Sequence, residues 1–196
     1  LRSMIDWSYD LLDEAERSLL RTLAVFAGGF TIEAAEAVQG GPRVLDLLAR
    51  LVDKSLVVVG TENAGESVRY RLLNTIRQYA LEKLDDRGEG EAVRERHARW
   101  YVELAEQAEP KLRGHGQIEW LDRMEQEHDN VRAALEWSLN HNIDLGLRIA
   151  NGVVWFWDIR DHALEGLQQM EKLLAARPLD PSPLHARALA RASWVA

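Results

Sequence analysis

Residues 55–59 (SLVVV) and 68–72 (VRYRL) carry the pattern that decides the fold of this chain. The first segment is rich in β-branched residues, and the second alternates apolar with polar side chains, as β-strands do. The eight residues between them include two glycines, which favours a turn. Because two strands are not stable alone, the pattern predicts a small hairpin that packs against helices.

Helices are predicted before the hairpin over 12–26, 32–38 and 42–54. Asp13 followed by Glu16 predicts a capping box for the first helix, and Thr31 predicts the N-cap of the second. Three helices and then a hairpin is the order of a winged helix. The residues expected in the core are Leu12, Ala15, Leu19, Leu20, Leu23 and Phe26 in the first helix, and Val44, Leu45, Leu48, Leu51 and Val52 in the third.

Another helix follows the hairpin, with Asn74 as its predicted N-cap and Gly88 as its end. The charged segment 85–90 is the predicted boundary between a winged-helix domain over 1–88 and an α-helical domain over 89–196. Helices of the second domain are predicted over 91–108, 117–140 with a break near His128, 144–158, 162–177 and 182–196.

The second domain carries a sign of repetition. Helix pairs begin near residues 144 and 182, a spacing close to the period of tetratricopeptide (TPR) arrays. The chain then ends within the last predicted helix, without the polar cap that helical arrays need. The expected fold is thus mainly α, a winged helix followed by a TPR-like domain, in a chain truncated at both ends.

The amino-acid composition and net charge exclude several classes of protein. Of 196 residues, 46% are hydrophobic and 29% are charged, so a packed core is expected. The absence of cysteine excludes disulfides, thiolate zinc sites and cysteine nucleophiles. Without an apolar run of about 20 residues or a secretory leader pattern, we expect a cytoplasmic protein that does not contact membranes. The net charge of −8 argues against a surface that attracts DNA everywhere, but it is compatible with a local basic patch.

Neither a metal site nor a catalytic site is predicted. The six histidines include no i, i+4 pair of the kind that binds zinc on a helix, so we expect surface or capping histidines. The paired carboxylates lie in caps or solvated charge runs, whereas acid–base catalysis needs a partly buried carboxylate with a shifted pKa. We therefore expect no enzymatic activity.

Tryptophans are concentrated in the helical half. Trp155 and Trp157 flank Phe156, and three consecutive aromatic residues cover more than half of a helix circumference. At least one of them should then lie outside a single core stripe. Two interpretations stay open: the rings bridge neighbouring helices in the core, or Trp155 and Trp157 line a groove that binds a ligand or partner.

The sequence resembles a known family in four stretches: 5–12 (IDWSYDLL), 23–31 (LAVFAGGFT), 71–80 (RLLNTIRQYA) and 127–137 (EHDNVRAALEW). They are similar to the winged helix and the start of the helical sensor region in bacterial STAND-type signalling ATPases. These are the large LuxR-family and AfsR-like transcriptional regulators, which carry an NB-ARC-like ATPase domain. The resemblance implies an upstream ATPase domain that binds ATP or ADP, and a helical array that senses a ligand or partner.

The resemblance also points to a nucleotide-sensing position. In NB-ARC proteins, a Met-His-Asp motif after the wing approaches the bound nucleotide, and it aligns with Leu72, Leu73 and Asn74 here, with Arg77 as the arginine that follows. Leu73 replaces the histidine and cannot donate a hydrogen bond to phosphate. Asn74 and Arg77 are the remaining candidates, although a capping role for Asn74 competes with this one. This chain contains no phosphate-binding loop, so no cofactor is expected in it.

Direct DNA binding by the winged helix is the alternative. The third helix offers Arg43, Arg50 and Lys54, and the hairpin adds Arg69 and Arg71. Acidic residues accompany them, and 11 basic against 14 acidic residues give 1–88 a net charge of −3. In the resembling family, the winged helix packs on the ATPase domain and a different domain reads DNA.

We therefore expect a non-catalytic regulatory and protein-interaction module that couples effector binding on helical repeats to an upstream nucleotide-binding domain. The alternatives are a winged-helix DNA-binding transcription factor and a plain α-helical scaffold.

Overall fold

The computed structural model describes residues 2–41, 43–60, 68–178 and 181–195. It is mostly helical, with a winged helix, one small two-stranded hairpin and a helical C-terminal region, as the sequence predicts. The chain forms two compact units, Leu1–His97 and Ala98–Ala196. The division falls within a long helix and beyond the predicted linker 85–90, and the domain boundary near residue 88 stays a prediction.

The first unit is built around its second helix. Its elements are α1 (Arg2–Asp10), α2 (Glu14–Leu23), α3 (Ile32–Gln39), α4 (Val44–Asp53), β1 (Val58–Gly60), β2 (Arg69–Arg71), α5 (Asn74–Asp86) and the start of α6 (Gly90–Lys111). Helix α2 contacts α3, α4 and α5, and its buried leucines form the centre of this core. The helix start at Pro42 and the turn 61–67, which includes Glu62 and Glu66, lie outside the described residues.

Local capping rules place the helix ends. The Glu16 amide donates to Asp13 Oδ1 and the Asp13 amide donates to Glu16 Oε2, both at 2.9 Å, which confirms the capping box. Thr31 caps α3 as predicted, and Gly40 ends that helix with φ +72°, a conformation that costs other residues energy. Asn74 is not a cap: it is the first residue of α5, and the N-cap position belongs to Leu73, which offers no side-chain acceptor.

The hairpin is antiparallel and is tied to the helices at Phe30. Val58, Val59 and Gly60 pair with Arg71, Tyr70 and Arg69. The backbones of Phe30 and Tyr70 exchange two hydrogen bonds of 2.8 Å. The buried Phe30 ring also stacks on Phe26 and Tyr70, with centroids 4.9 and 6.1 Å apart. The two strands are therefore packed against the helical part of the unit, as the sequence predicts.

Two expected core positions are wrong. Ala15 is exposed, and the buried position in that turn of α2 is Glu16, which binds Lys54. Leu45 is 56% exposed, because the buried side of α4 is formed by Val44, Leu48 and Leu51. In both cases the apolar stripe is narrower than the sequence suggests.

The second unit consists of helices around α9. Its elements are the rest of α6, then α7 (Gln117–Gln126), α8 (His128–His141), α9 (Ile143–Ile159), α10 (Ala163–Ala175) and α11 (Pro183–Val195). Helix α9 contacts α8, α10 and α11. The predicted break near His128 is confirmed at Glu127, whose buried carboxylate accepts hydrogen bonds from Tyr101 Oη at 2.6 Å and Asn130 Nδ2 at 2.9 Å.

In the described part of the chain, every helix falls short of the length and apolar character that crossing a bilayer would require.

A buried histidine makes the first unit sensitive to acid. His97 lies edge-on to Phe26 with the ring centroids 5.1 Å apart, and burial, reinforced by the charge of Arg77, lowers the pKa of His97 to about 3. The unfolded chain takes up a proton near pH 6.5, whereas the folded chain does not. The His97 contribution to stability is therefore fully present above about pH 6.5 and is lost progressively as the pH falls from there toward about 3.

We expect the His97 contribution to the free energy of unfolding to fall by about 1 kcal/mol between pH 7.5 and pH 5.5. Urea titrations at the two pH values measure the total loss in the wild-type chain. His97→Leu should reduce that loss by this amount, while His115→Gln, at an exposed site, should retain it. An equal loss in wild type and His97→Leu would contradict the assignment.

Candidate functional site

Helices α3 and α4 form the helix-turn-helix of the first unit, and α4 occupies the place of a recognition helix. Its buried side anchors it to the core. Its exposed side carries apolar, acidic and basic residues together: Arg43, Leu45, Asp46, Ala49, Arg50, Asp53 and Lys54. This surface, the α4 face, is the candidate site for DNA or for a protein partner.

Two of the three predicted DNA-contacting residues are held in ion pairs. Lys54 Nζ lies 2.6 Å from both carboxylate oxygens of Glu16, whose side chain is only 3% exposed. Arg50 Nη1 lies 3.6 Å from Asp13 Oδ2, and both of these side chains are exposed. The Lys54 pair ties α4 to α2 and is structural, whereas the Arg50 pair is weak enough to open.

Arg43 is the predicted basic residue that makes no ion pair with described residues. It precedes α4 in the left-handed conformation with φ +73°, and its side chain is exposed.

Of the two hairpin arginines predicted to support DNA binding, only one is exposed. Arg71 is exposed. Arg69 is buried and its Nη2 donates to the Gly29 carbonyl at 2.8 Å, so its charge fixes the hairpin to the segment before α3. Arg69 is therefore a structural residue.

The two nucleotide-sensing candidates do not converge on one site. Arg77 Nε donates to the Phe26 carbonyl at 2.7 Å, and burial lowers the pKa of Arg77. Asn74 is exposed and lines a cavity of about 350 Å³ between α1 and α5. Its described lining residues are Arg2, Ile5, Asn74, Thr75, Gln78, Tyr79 and Glu82, and Arg77 is not among them.

The tryptophan pair is split between core and surface. Trp157 is 1% exposed, and its ring packs so closely on Gly166 that an added Cβ there would lie 2.5 Å from it. A groove-lining role for Trp157 is therefore wrong. Trp155 is half-buried, with the Arg113 guanidinium 4.6 Å above its ring, so it stays a candidate partner contact.

The structure also assembles a cluster that the sequence analysis missed. Glu125, His128 and His162 each place one donor atom within 4.8 Å of the others' donor atoms. Burial lowers the pKa of His128, and the hydrogen bonds from Arg132 lower the pKa of the neighbouring Glu165. The expectation of surface or capping histidines is wrong for His128, as it is for the buried His97 and His185. Glu125 and His162 are 37 positions apart, so no local spacing could have revealed the group.

Comparison with known proteins identifies the first unit. Residues 12–85 match the family model described as "Winged helix-turn-helix domain". The chain is 44% identical over 181 residues to "Putative HTH-type transcriptional regulator Rv0890c" of Mycobacterium tuberculosis and to its Mycobacterium bovis counterpart Mb0914c. Those matches cover 89% of this chain but 20% of each relative.

A shorter match is 48% identical over 103 residues to "Uncharacterized protein Rv0894" of M. tuberculosis, covering 50% of this chain and 26% of that protein. No solved structure matches the chain. The chain thus contains a winged helix-turn-helix domain and spans about a fifth of the relatives named as regulators. This confirms the coarser part of the family resemblance, and the ATPase part stays a prediction.

Proposed function

We propose that this chain is a non-catalytic regulatory and protein-interaction module of a transcriptional regulator. Its relatives named as HTH-type regulators and its winged helix-turn-helix domain support the regulatory role. The observation that carries the interaction role is the α4 face, where Lys54 and Arg50 are held in ion pairs and the exposed Leu45 shares the surface with the exposed Asp46 and Asp53.

The α4 face suits a protein surface better than a DNA groove. A helix that reads DNA needs donors for phosphates on its flanks and donors or acceptors for base edges at its centre. Lys54 is committed to Glu16, and the exposed Asp46 and Asp53 would face phosphate oxygens of the same charge. The 56% exposed side chain of Leu45 would gain from burial against another protein domain.

We further propose the arrangement that the family resemblance implies. The winged helix packs on an upstream ATPase domain that binds ATP or ADP, the helical region binds an effector ligand or protein, and another domain reads DNA. The match covers only 20% of each named relative, which leaves room for such domains. The Arg77–Phe26 hydrogen bond and the apolar Leu73 favour a structural rather than a nucleotide-sensing role for the start of α5.

Direct DNA binding is the second candidate. The helix-turn-helix match, the exposed Arg43 and Arg71, and the weak Arg50–Asp13 pair favour it. If Arg50 left Asp13, α4 would present two free arginines at its surface.

Selection of the tightest-bound duplexes from a random-sequence pool, followed by fluorescence anisotropy with the selected duplexes, separates the two candidates. We expect this chain to bind no more tightly than the weak, sequence-independent range of about 1–100 µM. The double variant Arg43→Glu/Arg50→Glu should change the affinity no more than Arg113→Glu/Arg123→Glu, the same charge change in the second unit. A Kd well below about 1 µM at physiological salt, weakened tenfold only by the α4 variant, would establish the DNA-binding candidate instead.

A further inference from the structure

A group of potential metal ligands lies within the second unit, far from the α4 face in sequence. Glu125 is near the end of α7, His128 is the first residue of α8, and His162 directly precedes α10. His162 Nε2 lies 3.2 Å from Glu125 Oε1, and the two imidazole centroids are 4.1 Å apart. The interruption of the helix between α7 and α8 and the turn before α10 thus bring three potential ligand atoms close together.

His128 gives an independent sign that this group is suited to hold a ligand. Its side chain is 7% exposed, and its Nε2 atom is buried without a hydrogen-bond partner among the described residues. A buried polar atom of this kind is uncommon, because leaving it unsatisfied costs about 1–3 kcal/mol. The Phe156 ring lies 5.2 Å from His128 and 5.3 Å from His162, so an apolar wall backs both imidazoles.

The carboxylate nearest to His128 is already engaged. Glu165 Oε1 is 3.5 Å from His128 Nε2, beyond good hydrogen-bond range, and both Glu165 oxygens are held by Arg132. Glu165 therefore adds negative charge beside the group without satisfying His128. Glu125, which faces solvent, has the freedom to turn toward a shared ligand.

We propose that Glu125, His128 and His162 bind a divalent transition-metal ion of the zinc class. Two imidazoles and one carboxylate are a ligand set that such ions favour, with water completing the coordination. Zinc bonds of about 2.0–2.1 Å place tetrahedral donors about 3.3 Å apart. The His162–Glu125 separation of 3.2 Å already fits, and the other donor separations, at most 4.8 Å, require side-chain rotations of the half-exposed Glu125 and the partly exposed His162.

Titration of the whole chain with Zn²⁺ by calorimetry, and with Co²⁺ by visible absorption, tests the site. We expect one ion per chain and the absorption bands of nitrogen- and oxygen-coordinated Co²⁺. His162→Asn and Glu125→Gln should each weaken Zn²⁺ binding at least about tenfold, because each removes a direct ligand. Both side chains are partly exposed, so the variants should remain folded, and circular dichroism checks this.

The matched control is His115→Asn, which removes an exposed histidine of the same unit that is not in the group. It should leave the Zn²⁺ affinity within about twofold of wild type. Absence of a Co²⁺ spectrum, or equal Zn²⁺ binding by wild type, His162→Asn and Glu125→Gln, would overturn the proposal. Equal weakening in His115→Asn would assign the binding to scattered surface histidines and would overturn it as well.

Discussion

Replacing Gly152 with valine should destabilise the second unit by about 3 kcal/mol or more, one of the two largest effects we expect from a single substitution. Gly152 lies in α9, where a Cβ atom would approach the backbone oxygen of Ala105 in α6 to 2.6 Å and its carbonyl carbon and Cβ to 2.7 Å. Backbone atoms cannot rotate away as the end of a flexible side chain can. The two helices would have to separate, which would loosen the contacts around them.

Urea unfolding followed by circular dichroism and tryptophan fluorescence measures this loss. The control is Gly114→Ala, because its added Cβ would meet only the Pro110 carbonyl oxygen at an ordinary 3.5 Å. We expect the control to change the free energy of unfolding by less than about 0.5 kcal/mol. A similarly small change for Gly152→Val would mean that α6 and α9 do not approach as closely as described.

The same glycine shows where sequence analysis stops. From the sequence alone, a glycine within a helix indicates only a local cost in helix stability of about 1 kcal/mol relative to alanine. Its role depends on Ala105, a residue of another helix. By contrast, the capping box of Asp13 and Glu16 and the cap at Thr31 were predictable, because each involves groups within one helical turn.

The candidate sites divide in the same way. The basic residues of α4 can be identified from the sequence. Whether Lys54 is available to DNA, however, depends on its ion pair with Glu16, 38 positions earlier, and Glu16 becomes buried only when the helices pack. His128 and His162 look unrelated until α8 and α10 come together. Trp157 could not be assigned to core or groove because the choice depends on how closely Gly166 of α10 approaches its ring.

The second large effect is expected at Phe30, which joins the hairpin to the helices. Phe30→Ala should destabilise the first unit by about 3–5 kcal/mol, since it removes a fully buried ring and leaves a cavity between Phe26 and Tyr70. The backbone pairing with Tyr70 involves no side-chain atom, so its geometry is available to alanine as well. The loss therefore measures the ring contacts rather than the hydrogen bonds.

Phe30→Leu is the matched control, because it keeps an apolar side chain and should cost clearly less than the alanine variant. Chemical unfolding of both variants gives the two free energies, and hydrogen exchange at the Tyr70 amide reports whether the hairpin stays attached. We expect faster exchange at Tyr70 in Phe30→Ala than in Phe30→Leu. If both variants were equally stable and equally protected, the hairpin would be held to the helices by contacts other than this ring.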